Sequence, residues 1–160
     1  MKEFIIGVIG TGTSSPSIDE LAAEVGREIA RNNAVLICGG LGGVMTAAAR
    51  GAKEVGGYTI GILPGPGIHA ANPYIDFPIA TNMGQARNAI IIQTAEVLIA
   101  VAGGHGTLSE IALALKTGKG VVALLPQFSI PGVHQAETPR EAVREAFKLL
   151  KASNLPTITV

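Results

Sequence analysis

The sequence predicts a single α/β domain over residues 1–160, with a doubly wound, mainly parallel sheet flanked by helices. Three observations predict it. Short β-branched runs recur without polar alternation, the pattern of strands buried on both faces. Helical patterns lie between them, and glycines gather where runs end and helices begin.

The first strand is "FIIGVI" (4–9), followed by "SIDELAAEVGREIARNN" (17–33), which sets Ile18, Leu21, Ala22, Val25 and Ile29 on one helical face. "AVLIC" (34–38) is the second strand, and "GVMTAAARGAKEVGG" (43–57) is an alanine-rich helix ending on C-cap glycines. "YTIGIL" (58–63) is the third. The Pro/Gly-rich stretch 64–78 reads as an excursion between elements, and "GQARNAIIIQTA" (84–95) as a helix. "EVLIAV" (96–101), the helix "HGTLSEIALALKTG" (105–118) and "VVALL" (121–125) continue the alternation. A second excursion, 126–139, precedes the helix "TPREAVREAFKLLKAS" (138–153). No internal repeat or low-complexity tract interrupts this Rossmann-like order.

A chain of 160 residues suffices for one core. It is 48% apolar and 15% charged, with mean hydropathy +0.42, far from the disordered class. So little charge suggests that another subunit covers part of the surface. Twelve basic and twelve acidic residues cancel, so neither nucleic acid nor an acidic membrane is an expected partner. Cys38 is the only cysteine, which rules out an intrachain disulfide. Met1–Glu3 leads straight into an apolar run too short to span a membrane, and a soluble cytoplasmic protein is expected.

Ligands of such sheets bind at the carboxyl ends of the strands, where strand order reverses. Three glycine-rich turns fall there. In "GTGTSS" (10–15), Gly10, Thr11, Gly12, Thr13 and Ser14 offer amides and hydroxyls for a phosphate; the alternative is a tight turn capped by Ser17. A dinucleotide site is disfavoured, because Ser15 stands where the third glycine belongs and the second strand ends Cys38-Gly39-Gly40 with no carboxylate. In "CGGLGGVM" (38–45), Gly39, Gly40, Gly42 and Gly43 allow close approach of a ligand or close packing of helix on strand. In "VAGGHGTLSE" (101–110), Gly103, Gly104, Gly106 and Thr107 open another helix. Three such turns on one edge point to a phosphate-bearing ligand.

Two polar residues of that last motif differ. His105 has no cysteine, acid or second histidine at a triad or metal-ligand spacing, with His69 and His134 in separate loops, and reads as a solvated loop residue. Glu110 is open between two roles: a capping-box partner of Thr107 in "TLSE", or a carboxylate of the site. Arg87 falls in the first turn of "GQARNAI", where a cation opposes the helix dipole, and its planar fork suits a phosphate or carboxylate. No Walker A sequence, G-x-S-x-G elbow or zinc-type Cys/His cluster occurs, so no metal site is expected.

These residues resemble the LOG-type ("lysine decarboxylase-like") family, whose pattern pairs Arg-Lys at a helix start with P-G-G-x-G-T-x-x-E after the next strand. Arg87 matches the arginine, and Gly103, Gly104, Gly106, Thr107 and Glu110 match the second motif, with His105 on its variable position. One branch, the molybdenum cofactor carrier proteins, is more similar still through "GVIGTG", "GVMTAAARGAKEVGGYTIGILPGP", "ARN" and "EIALALKTGKGVVALL", over residues 4–125. Three departures stand out: Ala102 for the proline, Asn88 for the lysine, and "GGLGGVM" one residue short of G-G-x-x-x-G-V-M. The first two bear on phosphoribohydrolase chemistry and leave phosphate binding untouched. The third alters the shape of one phosphate loop.

The resemblance implies a binding protein for a phosphorylated heterocycle, molybdenum cofactor or a nucleotide, with no cofactor required. The alternative it implies is hydrolysis of a nucleoside 5′-monophosphate to free base and ribose 5-phosphate. Arg87 and Glu110 would then be the catalytic pair, Glu110 stabilising an oxocarbenium-like state or activating water. It also implies a homo-oligomer, dimer or tetramer.

Overall fold

The computed structural model describes residues 4–153; Met1–Glu3 and residues 154–160 lie outside them. One seven-stranded sheet runs in the order β4-β3-β2-β1-β5-β6-β7, and every neighbouring pair is parallel. The strands are β1 (Ile5–Gly10), β2 (Val35–Cys38), β3 (Thr59–Leu63), β4 (Phe77–Ala80), β5 (Val97–Val101), β6 (Gly120–Leu124) and β7 (His134–Ala136). The helices are α1 (Pro16–Arg31), α2 (Val44–Glu54), α3 (Asn88–Thr94), α4 (His105–Lys116) and α5 (Pro139–Ser153).

Alternate residues of the central strands feed two cores. Ile6, Val8, Leu36, Ile99 and Val122 pack with α1, α2 and α5, while Ile9, Ile37, Leu98 and Val121 pack with α3 and α4. Burial on both faces explains the unbroken apolar runs. α1 and α2 meet backbone to backbone: a β carbon on Gly26 would lie 1.9 Å from Ala48 O, and one on Gly51 would lie 1.8 Å from Ala23 O.

An edge strand, β4, starts in the last two residues of the predicted excursion 64–78 and runs past it, and β7 lies within the second excursion, 126–139. β4, "FPIA", is largely exposed and contains a proline, so it lacks the apolar run of a central strand. The Thr81 amide donates to Leu63 O at 3.2 Å, so by strand alternation the N–H groups of 77, 79 and 81 face β3. Pro78 then faces the open edge, where its missing N–H costs no ladder bond and blocks pairing by another chain. Asp76 fixes the start of β4 by accepting from Thr59 N at 2.9 Å and pairing with Lys53 Nζ at 2.7 Å. β7 is three residues long and too short to show a period.

Two helix starts differ from those the sequence predicts, and at a third the start is as predicted but the capping alternative fails. α1 is capped by Ser15 rather than Ser17, without a side-chain bond, and begins on Pro16, whose preset φ suits that position. The predicted helix 84–95 is split into a 3₁₀ turn, Gly84–Arg87, and α3; Gly84 at φ +58° makes the tight entry that turns Arg87 inward. α4 begins at His105 with Gly104 as N-cap, so Thr107 lies inside the helix and "TLSE" is not a capping box. The same spacing does cap α5, where Thr138 Oγ1 accepts from Glu141 N at 3.2 Å and the Glu141 carboxylate accepts from Glu137 N at 2.9 Å.

Candidate functional site

Strand order reverses at β1, which leads to β2 on one side and borders β5, which leads to β6, on the other. A crevice outside the carboxyl ends of β1 and β5 is the expected consequence. A cavity of about 340 Å³ opens there. Ile9 and Ile91 make its base apolar, and backbone from three glycine-rich turns forms much of its rim.

Of the predicted residues, Gly10, Thr11, Gly12, Gly39, Arg87, Gly104, Gly106, Thr107 and Glu110 line this one cavity. Thr13, Ser14, Gly40, Gly42, Gly43 and Gly103 do not. Ser14 instead donates its hydroxyl to Asp19 in the first turn of α1. Gly40 (φ +75°) and Gly43 (φ +62°) hold left-handed conformations that bring α2 beneath the β1–α1 turn. Val44 N there donates to Thr11 O at 3.0 Å. Gly103 is filled from the other side, since a β carbon would meet Thr107 Oγ1 at 2.1 Å.

Sequence reasoning missed Met45, Gln85, Asn88 and Ser109 as lining residues. Gln85 and Asn88 flank Arg87 in "GQARN", so proximity to the one anomalous arginine was the available signal. His105 starts α4 rather than sitting in a loop; it is exposed and packs its ring against Phe128, with centroids 5.7 Å apart.

Arg87 carries the strongest electrostatic statement. It is 8% exposed. Nη2 donates to Gly39 O at 3.5 Å, Nη1 donates to Asn88 Oδ1, and Nε has no hydrogen-bond partner. Among the described residues no carboxylate forms an ion pair with it. Burial pushes its pKa down, and the charge of Glu110 opposes that shift. A buried cation held only by neutral acceptors is an incomplete arrangement that an anion completes.

Freed from helix capping, Glu110 lies on the cavity-facing side of α4. Burial pushes its carboxyl up to about 7, against the pull of the Arg87 charge. Glu110 therefore changes charge near neutral pH, in the pKa range useful for proton transfer. The amino end of α4 has no side-chain cap and no first-turn acid, and its Gly104, Gly106 and Thr107 line the cavity. Cys38, buried beneath the site, is pushed up to about 11 by desolvation and stays a neutral thiol.

Ala102 explains one departure from the LOG-type motif. Its φ is +50° and its N–H donates to Leu124 O at 2.8 Å, and proline permits neither. Among the described residues no group of His, Cys, Asp and Glu is arranged to hold a metal ion, and no helix is long and apolar enough to cross a membrane.

The model of the SLOG cluster4 family matches residues 3–155. The molybdenum cofactor binding protein of Rippkaea orientalis has a similar structure, with TM-score 0.88 and 37% identity over 94% of this chain and 99% of that one. The molybdenum cofactor carrier protein of Chlamydomonas reinhardtii gives TM-score 0.86 and 39% identity over the same shares. A cytokinin riboside 5′-monophosphate phosphoribohydrolase of Mycobacterium tuberculosis is 38% identical over 96 residues, 58% of this chain. That match spans about half of the enzyme, 51% of its length.

Proposed function

Because the chain belongs to the SLOG cluster4 family, we propose that its cavity binds a phosphorylated heterocycle of the molybdenum-cofactor or nucleotide type. The observation that carries this reading is the buried, cavity-lining Arg87, which has no carboxylate partner among the described residues. The ligand's phosphate rests on the amides of the Gly104–Thr107 turn, with Arg87 balancing its charge. The ring lies on the apolar base of Ile9 and Ile91. Similarity to the two molybdenum cofactor proteins supports the class of ligand. Calorimetric titration with AMP and with isolated molybdenum cofactor tests the proposal; saturable binding of at least one is expected, and binding of neither contradicts it.

A second reading, hydrolysis of the N-glycosidic bond, is favoured by the placement of Glu110 beside Arg87 in the same cavity. Incubation with AMP followed by chromatography for free adenine separates the two, since a carrier releases none. A homo-oligomer, dimer or tetramer, forms part of the proposal, supported by the apolar composition and by exposed Tyr58, Phe77 and Ile79 around β4.

The Glu110 carboxyl gives the site a pH dependence of defined sign. Below about 7 it is neutral and tolerates a phosphate nearby; above, it adds a negative charge to the cavity. AMP affinity relative to that of Glu110→Gln should therefore fall as pH rises from 6 to 8; the ligand's own ionisation near pH 6 is common to both proteins and cancels. Hydrolysis dependent on ionised Glu110 would show the opposite trend, turnover rising through pH 7. Folding follows the same linkage: because the folded pKa is raised above 4.5, the neutral carboxyl's contribution is present below 4.5 and lost as pH rises to about 7. Denaturant titrations of wild type and Glu110→Gln should diverge across that window; parallel curves would contradict the buried carboxyl.

A further inference from the structure

Gly39 lines the cavity, yet the space beside its Cα is occupied by the protein's own arginine. A β carbon there would lie 2.6 Å from Arg87 Nη2, 2.9 Å from Arg87 Cζ and 2.6 Å from Met45 Sδ. Gly39 is not in the left-handed region, so backbone conformation does not require glycine at this position; the guanidinium does. The two terminal nitrogens are held from different residues, Nη2 by Gly39 O at 3.5 Å and Nη1 by Asn88 Oδ1. Both acceptors are neutral. They orient the fork without cancelling its charge, which a carboxylate in either place would do.

We propose that Gly39 and Asn88 form the seat of Arg87, as positioning residues that fix the guanidinium in the cavity, so that Gly39 acts on a bound anion through Arg87 and not through its own amide. This rests on the anion-binding reading above. The atoms that an alanine side chain would meet, Arg87 Nη2 and Met45 Sδ, are ends of flexible side chains. Gly39→Ala therefore folds and displaces the guanidinium. Asn88→Asp keeps the shape of the seat, supplies a carboxylate to Nη1 and neutralises the fork.

A double-mutant cycle on AMP binding tests the seat, using wild type, Gly39→Ala, Arg87→Met and the double variant. Gly39→Ala should weaken binding about tenfold or more in wild type and add nothing to Arg87→Met. Equal losses in both backgrounds would show that Gly39 meets the ligand directly and overturn the proposal. Asn88→Asp should lose affinity by a similar factor while its thermal midpoint holds; full affinity counts against the seat. In the ligand-free protein the Arg87 Nε–H resonance reads the seat by itself. It should move to the position of a free arginine in Gly39→Ala, and an unmoved resonance overturns the seat. If wild type binds no AMP and the resonance still moves in Gly39→Ala, the ligand reading falls and the seat stands.

Discussion

Replacing Arg87 with alanine is expected to weaken AMP binding about 30-fold or more while leaving the fold intact. Truncating one partner of a buried charged contact commonly costs about 2–5 kcal/mol, and 2 kcal/mol is roughly 30-fold in affinity. The fold should survive because Arg87 makes no ion pair among the described residues and its Nε is unpartnered. Removing a buried cation held only by neutral oxygens also relieves desolvation, so the thermal midpoint of the ligand-free variant should stay level or rise. Arg87→Lys should bind nearly as poorly, because an ammonium cannot span Gly39 O and Asn88 Oδ1 while presenting further donors to an anion. Calorimetry and thermal denatured fractions, measured on the same samples, check both halves. A variant that melts early and binds normally would reverse the assignment and make Arg87 a structural residue.

The largest effect on stability is expected at the α1–α2 contact. Gly51→Ala puts a β carbon 1.8 Å from Ala23 O, and Gly26→Ala puts one 1.9 Å from Ala48 O. In both cases the obstacle is backbone, which cannot swing aside as a side-chain tip can. The helices must separate, opening the packing of Ala22, Val25, Ala48 and Ala52 beneath them. Overpacking of this kind costs about 1–3 kcal/mol and occasionally more. Placed at the upper end, the loss lowers the midpoint by roughly 6–12 °C in a domain of this size. Each variant should keep its AMP affinity if it folds, since neither glycine reaches the cavity. The double variant should lose less than the two losses added, because one separation of the helices accommodates both methyl groups. Unchanged midpoints would mean that the helices are not in backbone contact.

The parts of the fold that could be read from the sequence are those where burial is symmetric. β1, β2, β3, β5 and β6 lie under helices on both faces, so their β-branched runs are uninterrupted and their limits were predicted within one residue. β4 and β7 sit on the edges, where exposure removes the run; Pro78, evidence against a central strand, is compatible with an outer one. Gly26 and Gly51 look like ordinary weaknesses within helical patterns, costing about 1 kcal/mol each against alanine. Only the crossing of the two backbones gives them a reason. In the site, Arg87 was conspicuous because it broke the dipole rule, but its seat on Gly39 joins residues 48 positions apart and has no local signature. Glu110 was undecided because "TLSE" and "TPRE" share a spacing. The second caps α5 and the first does not, because the N-cap of α4 is Gly104, three residues before Thr107.

The most direct test of the account is a crystal structure of the protein with AMP bound. The phosphate is expected against the amides of the Gly104–Thr107 turn, within reach of the Arg87 fork, with the base over Ile9 and Ile91. Density for the nucleotide outside this cavity, or a cavity left empty at a nucleotide concentration that saturates binding in solution, would contradict it.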